Sequence, residues 1–371
     1  MKIIIGLLCL FFIILFHELG HFIFAKIFGV KVESFSVGIG PWYIHKKIKG
    51  TDYRLSFIPL GGYCGLKGEK DFSKAIEQNL PYIEAEKDSM YGVHPLKRAL
   101  IAFAGPFFNI FLAWISFSII AITGYTYYSY SNQIRLADEV YPELHSAGRE
   151  AGLLSGDKII EINGKIILNF ADIVEEISSR PNEDVEVVVE RSGNKMNFTV
   201  HTDFDKKTAS GKIGITAYSD VVEKFEAKRY PFFTALLQGV KETGKYMILT
   251  VKGIVNLFKG ADISESISGP ARTADMMGQI LSSSFSENLK TGLVNLLNLI
   301  ALISISLGIM NLLPVPILDG GLIIFALIEF VTRKKLSPKV LYYIQFIGLA
   351  FIAVLFLIGI FGDVKYFYRK F

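Results

Sequence analysis

His17, Glu18 and His21 lie inside a run of apolar residues that is long enough to cross a membrane. Two histidines four positions apart share one face of a helix, so both imidazoles can reach a single metal ion. Glu18 is close enough to act on a water molecule at that ion. Ionisable side chains are costly within a spanning helix and are usually functional there, so we interpret this cluster as a metal site. A proton-relay or pH-sensing pair is the alternative.

The spacing His-Glu-x-x-His is typical of zinc peptidases, in which the histidines hold the ion and the glutamate is the general base. Zinc lowers the pKa of its water to about 7, which provides a nucleophile at neutral pH. Such a site needs another protein ligand. Asp319 is a candidate because it ends another long apolar run and offers a carboxylate. Its alternative role is a helix N-cap at the membrane edge.

The composition indicates that these residues belong to a membrane protein. Of the 371 residues, 51% are hydrophobic, 20% are charged and 30 are Phe, which excludes a disordered chain and argues against a wholly soluble one. The net charge of +4 is too small to favour nucleic acid as a partner, and two cysteines exclude a disulfide scaffold. Four segments reach the roughly 20 apolar residues that a spanning helix needs. They are residues 3–25, 100–121, 292–318 and 340–360.

The basic residues predict how the chain is oriented in the membrane. Twelve Lys and Arg lie in segment 26–98, and Arg333, Lys334, Lys335 and Lys339 lie between the third and fourth spans. Because Lys and Arg are enriched in cytoplasmic loops, we expect both of these loops in the cytoplasm. The N-terminus, residues 122–290 and the C-terminus then lie outside.

The outer segment divides by composition. Residues 136–220 predict a small α/β domain, in which Asn163-Gly164 between two β-like runs is a strong hairpin signal. Within it, residues 184–191 predict a strand and residues 172–179 a short helix. Residues 231–258 predict a basic amphipathic helix that either lies on the membrane surface or packs within the protein.

The third apolar segment presents a geometric difficulty. As one continuous helix, residues 292–319 would be about 40 Å long, whereas His17 should lie only about 21 Å from the outer edge of the membrane. For Asp319 to meet the histidines, either the third helix begins well outside the membrane or the chain bends near Pro314 and Pro316. Both prolines interrupt helical hydrogen bonding.

Two motifs together resemble those of site-2 proteases, which are intramembrane zinc metalloproteases. They are His17-Glu18-x-x-His21 in the first span and Asn311-x-x-Pro314-x-Pro316-x-Leu318-Asp319-Gly320 in the third. The resemblance covers nearly the whole chain and is strongest to bacterial regulator-of-sigma-E proteases with a PDZ domain. It implies that His17, His21 and Asp319 bind one zinc ion and that Glu18 is the catalytic base.

Weaker matches to the same family suggest further site residues. Pro59-Leu-Gly-Gly-Tyr63 resembles the family's membrane-associated β-hairpin, where Gly61 and Gly62 would suit a tight turn or a close backbone approach. Gly105-Pro106-Phe-Phe-Asn109 resembles its second-span motif, and Asn109 would either line the substrate cleft or bridge helices. Asn311 would either satisfy freed backbone groups or hold a substrate carbonyl.

Two matches lie in the outer segment. Ile267-Ser-Gly-Pro270 resembles a segment that precedes the third span in the family. The sequence from Tyr141-Pro142 through Asp157 to Ile162-Asn-Gly164 resembles a bacterial PDZ domain. The best-known bacterial members carry two PDZ domains, whereas residues 136–220 have room for one.

The predicted fold class is therefore a polytopic α-helical membrane protein with about four spans, a membrane-associated β-hairpin and one extracytoplasmic PDZ-like α/β domain. Residues 1–130 form the N-terminal membrane core, and residues 291–371 form the C-terminal one. The predicted parts are spans at about 3–27, 98–124 and 339–363, a cytoplasmic hairpin and loop at 30–97, the PDZ-like domain at 136–220, and an amphipathic helix and connector at 225–290.

The resemblance implies a zinc-dependent endopeptidase that cleaves the spans of single-span membrane proteins in regulated intramembrane proteolysis. Its substrates would be a membrane anti-sigma factor or remnant signal peptides, and a peptide or ectodomain would bind the PDZ domain. The protein would lie in a bacterial cytoplasmic membrane, with its active site toward the cytoplasm. The alternatives are a metal- or proton-coupled transporter and a catalytically inactive PDZ scaffold.

Overall fold

The computed structural model describes residues 2–259 and 268–370. Within these ranges the chain forms two compact units. Among the described residues, the first unit takes residues 2–123, 230–247 and 268–370, and the second takes residues 124–229 and 248–259. Ile267 of the predicted 267–270 motif and part of the predicted connector lie outside the described residues.

The first unit contains long helices built from Leu, Ile, Val and Phe. The helices of the described chain are α1 (Lys2–Ile27), α2 (Glu69–Glu77), α3 (Pro95–Thr123), α4 (Ala147–Glu150), α5 (Phe170–Ser178), α6 (Phe232–Phe258), α7 (Pro270–Glu287), α8 (Leu289–Asn311), α9 (Asp319–Thr332) and α10 (Pro338–Lys370). Among the described residues, α1, α3, α8 and α10 are long and apolar enough to cross a membrane. All four predicted spans fall on these helices.

The third predicted span is wrong in its extent. The sequence predicts an apolar span over residues 292–318 and leaves open a bend near Pro314 and Pro316. In the structure α8 ends at Asn311 and a separate helix, α9, begins at Asp319. Pro314 and Pro316 have no N–H to donate, so residues 312–318 make only short-range turns, such as Leu318 N–H to Val315 O at 2.9 Å. The chain therefore bends at the prolines, which settles the geometric difficulty.

The strands β1 (Val32–Ile48) and β2 (Thr51–Leu66) form an antiparallel hairpin that turns at Lys49 and Gly50. Both strands are long and bent. As a result, residues 34–37 pair with residues 62–65 and also with residues 52–55. Residues 62–65 therefore form an edge strand of this small sheet.

Gly61 and Gly62 are not at the hairpin turn, which corrects one of the two expectations for them. Both lie within β2, and Gly62 pairs with Val37. A Cβ on Gly62 would stand 2.6 Å from the backbone oxygen of Ser36, so the close backbone approach is what the structure shows. Gly61 has a φ of 117°, which a residue with a side chain adopts only with strain.

Two further helices pack within the first unit. The first part of α6 packs on α3, where the Trp114 indole N–H donates to Leu236 O at 3.0 Å and Phe117 stacks on Tyr246. This part of the predicted amphipathic helix is thus a packing helix. Helix α7 begins at Pro270 of the predicted motif, with Gly269 as its N-cap. The buried Asp363 of α10 accepts hydrogen bonds from Gly269 N–H and Ala271 N–H.

The second unit is a small α/β body. Its strands are β3 (Thr126–Ser129), β4 (Ile134–Leu136), β5 (Lys158–Ile162), β6 (Lys165–Ile166), β7 (Asp184–Arg191), β8 (Asn194–His201), β9 (Asp203–Asp205), β10 (Ser210–Lys212), β11 (Ile215–Ala217) and β12 (Glu223–Glu226). Four of them form a sheet in the order β6-β5-β7-β8, and β3–β12, β4–β11 and β9–β10 form pairs. The predicted hairpin at Asn163-Gly164, strand at 184–191 and helix near 172–179 are confirmed.

Candidate metal centre and active site

Helix α1 presents both histidines of the motif on one side. Their Nε2 atoms lie 3.2 Å apart, and His17 is buried. The other ring nitrogen of His21, Nδ1, lies 2.8 Å from the backbone oxygen of Ile101 on α3. This contact requires a proton on Nδ1, so Nε2 keeps a lone pair for a metal ion.

Asp319 joins the histidines from the start of α9. Its Oδ2 lies 3.2 Å from His17 Nε2, and its Oδ1 lies 3.4 Å from His21 Nε2. The N-cap of α9 is Leu318 and Asp319 is the first helical residue, so the alternative role of Asp319 as the N-cap is not seen. The bend at 312–318 is what turns the beginning of α9 toward α1.

The separations of these donor atoms match the size of a zinc ion. The ligand atoms of His17, His21 and Asp319 all lie within 4.8 Å of one another, and no other His, Cys, Asp or Glu joins the cluster in the described chain. Ligands of a tetrahedral zinc at 2.0–2.1 Å are about 3.3 Å apart, which agrees with the distances above. Two imidazoles and one carboxylate also leave a fourth position open, as catalytic zinc sites do.

Gly105 lets α3 approach the two imidazoles. A Cβ at this position would lie 2.4 Å from His21 Nε2 and 2.6 Å from His17 Nε2, and would therefore occupy the space between the ligands. Gly105 belongs to the predicted second-span motif, but its position beside the imidazoles was not predicted. A glycine followed by proline within an apolar helix was the available signal.

Asn109 and Asn311 both contact His17. Asn109 is fully buried, and its Nδ2 lies 3.0 Å from His17 Nδ1. The amide oxygen of Asn109 has no partner in the described part of the chain. Rotating the amide would let this oxygen accept a hydrogen bond from a protonated His17 Nδ1, which leaves the Nε2 lone pair free for metal. Asn311 Nδ2, at the end of α8, lies 3.4 Å from His17 Nε2.

The β-hairpin holds Glu18. The backbone N–H of Cys64, on the edge strand 62–65, donates to Glu18 Oε2 at 3.0 Å. Glu18 also lies near enough to His17, His21 and Asp319 to interact with them electrostatically. The Glu18 carboxylate is thus fixed beside the donor cluster, and the edge strand 62–65 lies next to this carboxylate.

Comparisons with known proteins agree with this geometry. The family model for peptidase family M50 matches residues 5–355. The chain belongs to peptidase family M50. It is 35% identical to a Treponema pallidum protein, with 99% of this chain and 100% of that protein covered. It is 36% identical to a Campylobacter jejuni protein (95% and 90%) and 30% identical to a Helicobacter pylori protein (97% and 98%). Each carries the name "Putative zinc metalloprotease".

Membership of the M50 family confirms the predicted resemblance to site-2 proteases and the predicted class, a metalloendopeptidase. Peptidases of this family are zinc-dependent, so zinc is confirmed as the expected cofactor. The family and the four apolar helices also support a membrane protein.

Proposed function

We propose that this M50 peptidase is an intramembrane zinc endopeptidase in which His17, His21 and Asp319 hold the metal and Glu18 is the general base. The observation that carries the proposal is the set of donor separations of 3.2, 3.2 and 3.4 Å among two histidines within the apolar helix α1 and an aspartate at the start of α9. When bound, zinc supplies Lewis acidity that makes water nucleophilic at neutral pH and polarises a carbonyl.

Glu18 moves the proton in this mechanism. Its carboxylate takes the proton of the attacking water and delivers it to the leaving amine, so that one group serves as base and then as acid. The hydrogen bond from Cys64 N–H occupies Oε2 and fixes the carboxylate, which leaves Oε1 for the water. Asn311, beside His17, is placed to donate to the scissile carbonyl oxygen.

In this proposal the edge strand 62–65 of the hairpin binds the substrate. A peptide bond within a helix is shielded, so the substrate must unwind before attack. Pairing of the unwound segment with residues 62–65 would replace its lost backbone hydrogen bonds. This strand already reaches Glu18 through Cys64, so a paired substrate would lie next to the base. The substrate class is the span of a single-span membrane protein, such as an anti-sigma factor or a remnant signal peptide in regulated intramembrane proteolysis.

The proposed location is a bacterial cytoplasmic membrane with the active site toward the cytoplasm. The support is the basic composition of segment 26–98 and of residues 333–339. The second unit would then lie outside. We assign it as PDZ-like, and its cavity of about 380 Å³ between α5 and residues 210–216 is the candidate site for a peptide or ectodomain.

Cleavage of a tagged single-span reporter by purified protein in detergent tests this function. Wild type and Glu18→Gln are compared, and zinc per chain is measured for both. We expect equal zinc contents and cleavage by wild type alone. Equal cleavage by the two proteins would refute the role of Glu18. Metal-dependent transport without cleavage would identify a transporter instead, and neither activity would leave a scaffold.

A further inference from the structure

A basic cavity of about 760 Å³ lies in the first unit; His94 is among its lining residues, but His17, His21 and Asp319 are not. It is enclosed by the start of α3, the end of α9 with the residues that follow it, and the segment before α3. Four of its lining residues are cations, and a single acid, Glu329, faces it. The cations are Arg98, Arg333, Lys334 and Lys335.

The charges of this cavity do not cancel. Arg98 Nη2 forms an ion pair with Glu329, and the other oxygen of Glu329 accepts from Leu336 N–H at 3.0 Å. Glu329 is therefore fully engaged. In residues 2–259 and 268–370, no ion pair joins Arg333, Lys334 or Lys335 to an acid, so three positive charges remain at the wall.

Arg98 also has an unused donor. Its side chain is only 12% exposed, and its Nε is buried with no hydrogen-bond partner within the described residues. A buried N–H without an acceptor is destabilising, because it has lost its hydrogen bonds to water. An anionic oxygen in the cavity would supply the missing acceptor.

The cavity lies where polar and apolar surfaces meet. Helix α3 begins at Pro95, α9 ends at Thr332 and α10 begins at Pro338, so the ends of three apolar helices converge there. Phe330, which lines the cavity, is exposed, and so are large apolar side chains that are close to the lining residues in the sequence. They are Leu96, Leu100, Val331 and Val340.

We propose that this cavity binds the phosphodiester headgroup of an anionic phospholipid. The phosphate would accept from Arg98 and the lysine pair, and the acyl chains would cover the exposed apolar side chains. Basic pockets between helices at a membrane face suit such headgroups. A free phosphate shares the first part of this chemistry but makes no use of the apolar rim. Lipid bound here would stabilise the end of α9, the helix that begins with Asp319.

Lipid binding to the purified full-length protein tests the proposal. Native mass spectrometry and thermal unfolding are followed during titration with phosphatidylglycerol, phosphatidylcholine or soluble glycerol phosphate. We expect saturable binding and a raised Tm with phosphatidylglycerol alone. Equal responses to both lipids would overturn the proposal. Competition by glycerol phosphate at the same concentrations would show a site for free phosphate and would overturn it as well.

A pair of matched double variants locates the site. Lys334→Gln/Lys335→Gln removes two adjacent cations of the cavity, and Lys46→Gln/Lys47→Gln removes two adjacent, exposed cations of the hairpin. At about 1 kcal/mol for each lysine near a charged lipid, the cavity variant should bind phosphatidylglycerol about 30-fold more weakly. The hairpin variant should bind like wild type. An equal loss in both variants would show general surface attraction and contradict a built site.

Discussion

At the scale of single residues, the donor cluster depends on the absence of a side chain at Gly105 as well as on the three donor residues. His17 and His21 were predictable because a spacing of four on a helix is a property of the local chain. Asp319 was a candidate because few ionisable side chains occur in the apolar runs. The contacts of Gly105 and Asn109 with the imidazoles were not predictable, since they depend on how α3 packs against α1.

Gly105→Ala should abolish metal binding. The added Cβ would stand 2.4 Å from His21 Nε2, so either the imidazoles or α3 must move. We expect zinc per chain to fall from one to near zero, measured by elemental analysis of the purified protein. Gly244→Ala is the matched control, because nothing lies within 4 Å of its Cβ. This control should keep its zinc and gain up to about 1 kcal/mol of stability in α6.

Asn109→Ala should weaken zinc binding without abolishing it. The amide holds His17 through Nδ1, and loss of such an outer partner typically costs 10- to 100-fold in metal affinity. Competition with a zinc chelator of known affinity measures the change. Asn295→Ala, which removes an amide that contacts Ser284 rather than a histidine, should leave the affinity unchanged. If the zinc affinity of Asn109→Ala equals that of wild type, Asn109 only packs between helices and does not position His17.

At the scale of elements, the sequence predicted each apolar segment but not where the third one stops. The sequence remains apolar through residues 312–318, and only Pro314 and Pro316 indicate that the helix ends there. The direction of the bend depends on close contacts: a Cβ on Gly320 would lie 2.3 Å from the backbone oxygens of Leu312 and Leu313. The hairpin was expected, but the sequence left open whether Gly61 and Gly62 form a tight turn or allow a close backbone approach, because glycine suits both.

Helix α7 depends on a carboxylate from another helix. Asp363 on α10 accepts from Gly269 N–H and Ala271 N–H, each at 2.9 Å, and Gly269 offers no side chain as a cap. Asp363→Ala should therefore destabilise the first turn of α7 by about 1–2 kcal/mol. Hydrogen exchange of the full-length protein should show faster exchange there. Asp220→Ala, at an exposed position, is the control, and equal effects of both variants would contradict the capping role.

Helix α5 of the second unit is held by a charged cluster that should respond to pH. Burial alone would raise the pKa of Glu176, but hydrogen bonds from Lys165 and Arg180 outweigh it and hold this pKa below its usual range. A lowered folded-state pKa adds stability above the unfolded value, about 4.3, and this stability is lost as the pH falls through the folded value.

Glu176→Gln should therefore destabilise α5 at pH 7 and matter much less near pH 2.5, where the carboxyl is largely protonated in wild type as well. Loss of one charged hydrogen bond, about 1.5 kcal/mol, corresponds to about tenfold faster amide exchange in residues 170–178 of the full-length protein. Exchange is compared at both pH values after correction for intrinsic rates. Glu186→Gln, at an exposed strand position, should leave the exchange rates of residues 170–178 unchanged at both pH values. A difference from wild type that is the same at both pH values would argue against the charge pair.

At the scale of the whole molecule, the site is assembled from segments that lie far apart in the sequence. Helix α1 contributes two donors and the base, α3 contributes Gly105 and Asn109, and α9 contributes Asp319. The fold class and the membrane segments follow from composition, which is a global property. The partners of each helix do not, because apolar helices of similar length offer no sequence signal that selects among packing arrangements.

X-ray absorption at the zinc K-edge of the purified protein tests the central claim most directly. We predict one zinc per chain with nitrogen and oxygen ligands at about 2.0–2.2 Å, including two imidazoles, and no sulfur at about 2.3 Å. Asp319→Ala should lose an oxygen ligand or the zinc itself. A sulfur ligand from Cys9 or Cys64, or a zinc environment unchanged in Asp319→Ala, would contradict a metal centre built from His17, His21 and Asp319.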